Sequence, residues 1–389
     1  MLLTVVTFIA ILGLLVLVHE LGHFVTARRG EVKVEEFGLG LPPRIIGYYK
    51  NEEGHWRRVG LKTKAATGTI WSLNWVPLGG FVKIKGEEGG QAEDQDSFSH
   101  KSVGRRIWII SAGVLMNVIL AAVLLSIGLA IGSPQLIEKE KISPLARVSG
   151  QEIRVIEVLA DSPADRAGLR VADQILSVDG QSLLKIEELQ QYFNQKLGEP
   201  VSLVIGRQQE QLTVELTPEI IPETERGGMG VGLVETGLVS YPWYVAPWFG
   251  VIETLKMIGG VILGFYLIIK SLIVSGELIG EVYGPVGIAT LVGDAVKLGF
   301  LYVLQFTAVL SVIIAVINFL PFPALDGGRV FFLLIEAVRK KPVNQRFEAA
   351  MHNLGFALLM LLVVIVTFRD IARLSAGFTN FWQNISGLF

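Results

Sequence analysis

The chain has 389 residues, of which 51% are hydrophobic and 18% charged, with a net charge of −2 and a mean hydropathy of +0.52. This balance points to a polytopic membrane protein carrying some soluble mass, and no basic patch or glycine-rich phosphate loop suggests a nucleic-acid or nucleotide partner. Cysteine is absent, which excludes disulfides and thiolate metal sites, so any bound metal must be held by histidine and carboxylate.

The first apolar run, Leu2 to Thr26, is long enough to cross a membrane. Residues 1–27 are expected to form the first transmembrane helix. No positively charged segment precedes the run and no small-residue cleavage site ends it, so it reads as a retained helix. Within it stand His19-Glu20-Leu21-Gly22-His23. An ionisable side chain at the centre of a membrane helix costs about 2.5–3.5 kcal/mol, so something must offset these residues. On a helix His19 and His23 lie one turn apart on one face, where both imidazoles reach a single ion and Glu20 stands beside it as a base. Zinc is the ion such a site usually takes. The plainer alternative is three polar residues satisfied by neighbouring helices.

Residues 28–106 form a loop with Arg28 and Arg29 at its start and Arg105 and Arg106 at its end, which places it in the cytoplasm by the positive-inside rule. Inside it, Thr69 to Ile84 shows two β-rich arms flanking the turn Pro77-Leu78-Gly79-Gly80. A free strand edge there can pair with extended peptide, although an ordinary hairpin would look the same. The second spanning helix is expected at 107–131. Its Ser111-Ala112-Gly113 and Asn117 suit close packing near the site, and equally well helix packing alone.

A soluble αβ pattern follows at 145–220, with a helix at Ile186 to Gln195 and a strand at Val201 to Ile205. Residues 219–247, holding Gly227, Gly228, Gly230 and Gly232, read as a linker within a longer connecting region, 221–300. Trp248 to Val274 is long enough to span but carries Glu253, Lys256 and Lys270. A crossing there would turn the end of the third helix away from the histidines, so an interfacial or re-entrant helix is expected. Glu281 to Ala289 reads as a turn before the third helix.

The third helix, 301–328, ends in Asn318-Phe319-Leu320-Pro321-Phe322-Pro323-Ala324-Leu325-Asp326-Gly327-Gly328-Arg329. Its prolines and glycines break the helix, and irregular backbone at membrane depth is tolerated only where it lines a cavity. Asp326 is then the natural third ligand, giving two histidines, one carboxylate and an open position, the catalytic zinc pattern. Arg339, Lys340, Lys341 and Arg346 mark 329–350 as cytoplasmic. The fourth helix is expected at 351–370 and an interfacial tail at 371–389, where Asn384-Ile385-Ser386 is a nominal glycosylation triplet of little weight. His55, His100 and His352 read as solvated or capping residues.

On H-E-x-x-H at 19–23 and N-x-x-P-x-P-x-L-D-G at 318–327, the chain resembles, over nearly its whole length, the site-2 protease family of intramembrane zinc metalloproteases, in its bacterial PDZ-containing, sigma-factor-regulating branch. The resemblance implies zinc ligands His19, His23 and Asp326, Glu20 as catalytic base and Asn318 contacting substrate. Residues 69–84 are similar to the family's membrane-reentrant β-hairpin, which makes Gly79 and Gly80 candidate substrate-binding positions, and Gly38 to Pro43 matches a family loop. Residues 147–218 look like one circularly permuted PDZ domain, to bind a freshly exposed C-terminus or to exclude substrates with large ectodomains. The implied fold is a polytopic α-helical membrane protein of about four transmembrane helices, with a cytoplasmic-side β-hairpin and one extracytoplasmic PDZ domain, in the bacterial inner membrane. Its implied partners are the lipid bilayer and single-span membrane proteins, such as pre-trimmed anti-sigma factors or signal-peptide remnants. A catalytically silent PDZ receptor and a metal transporter are the competing readings.

Overall fold

The computed structural model describes residues 2–61, 66–87, 91–137, 143–182, 185–207, 210–221, 226–276 and 282–386, with the side chains of 77, 78, 226 and 374–386 left aside. It divides into two compact units, residues 1–125 with 250–389, and residues 126–249. Helix α1 (Leu2–Arg29) buries Ile11, Leu15, His19, Gly22 and His23, a spacing of three and four that gathers them on one face. Three strands follow, β1 (Val34–Lys50), β2 (Trp56–Val59) and β3 (Ile70–Ile84), in the order β2-β1-β3.

The two arms of the sequence-predicted hairpin do not pair with each other. Phe37 to Leu39 lies between them, bonded to Trp71 to Leu73 on one side and to Gly80 to Val82 on the other. Gly38 permits this, because a Cβ there would meet Phe81 of one arm at 2.4 Å and Asn74 of the other at 2.7 Å. Arm 70–74 is thus covered on both edges, since Arg44 to Tyr48 takes its far side. Arm 80–84 has a partner on one edge only among the described residues. Helix α2 (Val103–Ile131) packs Ile109 and Ile110 with Phe24, Phe37 and Ile84 in one buried cluster that joins α1, α2 and the sheet.

The second unit holds β4 (Ser133–Leu136), β5 (Arg147–Val158), α3 (Pro163–Arg166), β6 (Gln174–Val178), α4 (Ile186–Gln195), β7 (Val201–Arg207), β8 (Glu210–Leu216), β9 (Glu219–Ile221), β10 (Arg226–Gly228) and β11 (Val231–Ser240). Six of the strands make one sheet in the order β4-β11-β5-β6-β7-β8. Its alternating Val and Ile residues close over α4 through Leu189 and Phe193. The linker reading of 219–247 is therefore corrected: β11 is an interior strand, paired along β5 for most of its length. Its glycines hid the apolar alternation that marks a strand. Glu235 of β11 is buried and accepts the Ile186 N–H at 2.8 Å, capping the first turn of α4.

The chain returns to the first unit through α5 (Ala246–Val274), followed by α6 (Pro285–Leu298), α7 (Phe300–Phe319), α8 (Asp326–Arg339) and α9 (Gln345–Ser386). Five helices are long and apolar enough to cross a membrane, namely α1, α2, α5, α7 and α9. By length and composition that is one candidate span more than the expected four. Helix α5 is mostly apolar where exposed, through Leu255, Ile262, Leu263, Leu267, Ile269 and Ile273, and its few charges are scattered: Glu253 pairs with Lys256 at 2.8 Å and Lys270 is exposed. An interfacial helix would carry a charged face instead. The third expected helix also ends earlier than 328: α7 stops at Phe319 and Asp326 opens the separate helix α8. Glu281 lies outside the described residues, as do the side chains of the expected interfacial tail from Leu374, whose backbone continues α9 to Ser386.

Candidate metal centre

His19 and His23 occupy the buried face of α1 about two-thirds of the way along it, with Glu20 on the flank of the same face. Asp326 reaches them from the first residue of α8. The helix breaks before it because Pro321 and Pro323 cannot continue the hydrogen-bond ladder of α7. Gly327 and Gly328 then let the returning backbone lie against that break, since a Cβ at either would come within 2.3 Å of carbonyls at Phe319, Leu320 or Phe322.

His19 Nε2 and His23 Nε2 stand 3.2 Å apart. Asp326 Oδ2 is 3.1 Å from the first and 3.4 Å from the second. Donors held tetrahedrally at zinc bond lengths of about 2.0–2.1 Å are separated by about 3.3 Å, so this triangle has the size a zinc ion requires. Its chemistry agrees. His23 donates Nδ1–H to the Ile109 carbonyl at 2.9 Å, which leaves Nε2 bare in the neutral ring. Asp326 Oδ2 is buried without a hydrogen-bond partner. Bare acceptors buried facing one another call for a cation between them. Among the described residues these three are the one group of histidine and carboxylate side chains close enough to share an ion.

The other expected positions divide. Glu20 is half-buried, and the ideal Cβ position of Gly80 lies 3.8 Å from its Cγ, so the singly paired arm of β3 runs beside the expected base. Gly79, at φ +82°, rests against Val16 of α1. Asn318 is half-buried in the last turn of α7, and its side chain makes no hydrogen bond among the described residues.

Gly113 of α2, expected to suit close packing near the site, makes room for the histidines: a Cβ there would lie 2.3 Å from His23 Nε2 and 2.8 Å from His19 Cε1. Other contributors were not expected. His352 of α9 is neither solvated nor capping. Its Nδ1 accepts the Ala324 N–H at 2.9 Å, holding the loop before Asp326, where Ala324 takes a left-handed φ of +81°. Arg329 pairs with Glu87 beyond β3, and Arg106 of α2 with Glu336, so α8 is tied to sheet and helix together. Their opposite charges are visible in the sequence, but their pairing over more than two hundred positions is not.

In the second unit an apolar groove runs between α4 and the start of β11, lined by Ile186, Leu189, Phe193, Met229, Val231 and Leu233. Val231 to Val234 is bonded to β5 on one edge, while β4 covers β11 only from Thr236 onward. The opposite edge of that segment faces the groove.

Against known proteins, the sequence pattern of peptidase family M50 matches residues 7–362. A Clostridium acetobutylicum protein, provisionally named a zinc metalloprotease, is 32% identical over 92% of this chain and 94% of its own. The zinc metalloprotease RasP of Geobacillus kaustophilus is 27% identical over 95% of this chain and 98% of its own. Among solved structures, the PDZ domain of an SdrC-like protein from Listeria monocytogenes is 23% identical, covers 22% of this chain and 92% of its own, and has a TM-score of 0.21.

Proposed function

The chain belongs to peptidase family M50, the site-2 protease family, and is a zinc metalloprotease; from this we propose that it hydrolyses a peptide bond inside the membrane segment of single-span membrane proteins. The observation that carries the reading is the triangle of His19 Nε2, His23 Nε2 and Asp326 Oδ2 with Glu20 beside it. These three would hold zinc, which supplies a bound water acidic near neutral pH and polarises the scissile carbonyl. Glu20 takes a proton from the attacking water as the new C–O bond forms, then returns it to the nitrogen as the C–N bond breaks, leaving a carboxyl and an amine end.

A membrane helix has its amides already bonded, so the substrate must unwind before water can reach one. The singly paired edge of Gly80 to Ile84 offers replacement partners for those amides by strand addition, and the Gly80 end of that edge lies beside Glu20. Gly79 turns the strand at that point, and Asn318, whose side chain has no hydrogen-bond partner among the described residues, would on this reading bond the peptide from the α7 side. The arginines at the end of α1 and the start of α2 support a reading with the site toward the cytoplasm and the PDZ-like unit on the outer face of a bacterial inner membrane. The groove between α4 and β11 favours a role in holding an exposed peptide end, as left on a substrate trimmed by another protease.

The silent-receptor reading is disfavoured because Glu20 is retained beside three intact ligands, which a receptor would not require. Transport is disfavoured because the described residues give one closed cluster rather than a polar path. The test is to purify wild type and Glu20→Gln in detergent and measure bound zinc and cleavage of a single-span substrate lacking its ectodomain. We expect about one zinc in each and cleavage by wild type alone, the variant being slower by about 10²–10⁴-fold. Zinc-loaded wild type that cuts none of a panel of such substrates would overturn the proposal.

A further inference from the structure

Helix α2 supplies more to the site than space. Its Ile109 carbonyl accepts the Nδ1–H of His23, which frees Nε2 of that ring. His19 needs the same treatment, and the group facing its Nδ1 is the side-chain amide of Asn117, 3.4 Å away. Asn117 is 0% exposed, and Ser311 of α7 donates to its backbone carbonyl at 2.8 Å.

The orientation of that amide decides the chemistry. With the amide nitrogen toward His19, Nδ1 must accept, the ring proton moves to Nε2, and that atom is closed to a metal. Exchanging the two ends of the carboxamide keeps its outline and sets Oδ1 opposite Nδ1. Oδ1 as it stands is buried with no hydrogen-bond partner, so the exchange sacrifices no bond other than the one it replaces. The result is the arrangement His23 already has, with Nδ1–H donated outward and Nε2 bare.

We infer that Asn117 is a positioning residue for the metal ligand His19: its side-chain Oδ1 accepts Nδ1–H and fixes the tautomer that presents Nε2 to zinc. Helix α2 thus carries both acceptors that set the ligand histidines, one from backbone and one from a side chain eight residues on. This inference rests on His19, His23 and Asp326 being the zinc ligands.

The test compares the full chain in detergent as wild type, Asn117→Leu and Asn117→Asp, measuring zinc affinity by chelator competition, melting of the metal-free form, and cleavage. Leucine keeps the volume and removes the acceptor, and should weaken zinc binding about 10–100-fold. Aspartate restores an acceptor and should bind zinc at least as tightly as wild type, even if the metal-free form melts lower. A packing role alone predicts the reverse order, because a buried carboxylate disturbs an apolar helix contact more than leucine does. Leucine that binds zinc within about twofold of wild type, or aspartate that binds more weakly than wild type, would overturn the inference. If leucine fails to fold, the aspartate result alone decides. Wild type that holds no zinc would instead refute the ligand assignment.

Discussion

Replacing Gly113 by alanine adds one methyl group at the centre of the site. Its carbon would stand 2.3 Å from His23 Nε2, 2.7 Å from His23 Cε1 and 2.8 Å from His19 Cε1. Unbonded heavy atoms settle at about 3.5–4.0 Å, so the rings must retreat by about 1 Å. Metal–ligand distances tolerate only about 0.2 Å, so that retreat breaks the triangle with Asp326. A misplacement of this size costs about 10²-fold in turnover, and zinc affinity should fall at least as steeply. Helix propensity acts the other way, since alanine is favoured over glycine by about 1 kcal/mol in a helix, which offsets part of an overpacking cost of about 1–3 kcal/mol, so the metal-free protein should melt at or a few degrees below the wild-type temperature. Gly13→Ala is the control, because nothing lies within 4 Å of the added carbon. The assay is chelator competition for zinc together with cleavage of a single-span substrate. Gly113→Ala with wild-type zinc affinity and turnover within about threefold would refute the placement of the histidines against α2.

Two further outcomes are expected. His352→Ala removes the acceptor of the Ala324 N–H and lets the Asp326 loop drift, so zinc affinity should fall about tenfold, while His352→Asn, which keeps an acceptor near that place, should recover most of it; equal loss in both would refute the anchoring role. In the second unit, burial raises the Asp173 carboxyl, but two hydrogen bonds from Arg207, a third from the Arg170 N–H and the charges of both arginines together outweigh it and hold Asp173 below the usual carboxylate range. A lowered folded value means this stabilisation is complete above about pH 4, the unfolded value, and is lost as pH falls through the folded one. Asp173→Asn should therefore destabilise that unit by about 3 kcal/mol at pH 7 and by progressively less in acid, read by urea unfolding at each pH. A penalty that does not change with pH would refute the ion pair as its source.

What could be read from the chain alone was whatever a helix repeats locally. His19 and His23 are one turn apart by helical geometry, so their shared face followed from spacing. The two prolines and two glycines around Asp326 announced broken backbone at membrane depth, which pointed to a site before any partner was visible. Other features were hidden by local composition. The glycines of 227–237 concealed β11, and three charges in Trp248 to Val274 drew attention away from a helix whose exposed side chains are mostly apolar. Tertiary packing decided the rest. The hairpin arms admitted β1 between them because Gly38 has no side chain to keep them out. Asn117 faces His19 across 98 positions and His352 holds Ala324 across 28. Neither residue differs in type or spacing from an ordinary polar residue in a helix. The energy of such contacts comes from burial and hydrogen-bond geometry, which exist only once distant segments have packed.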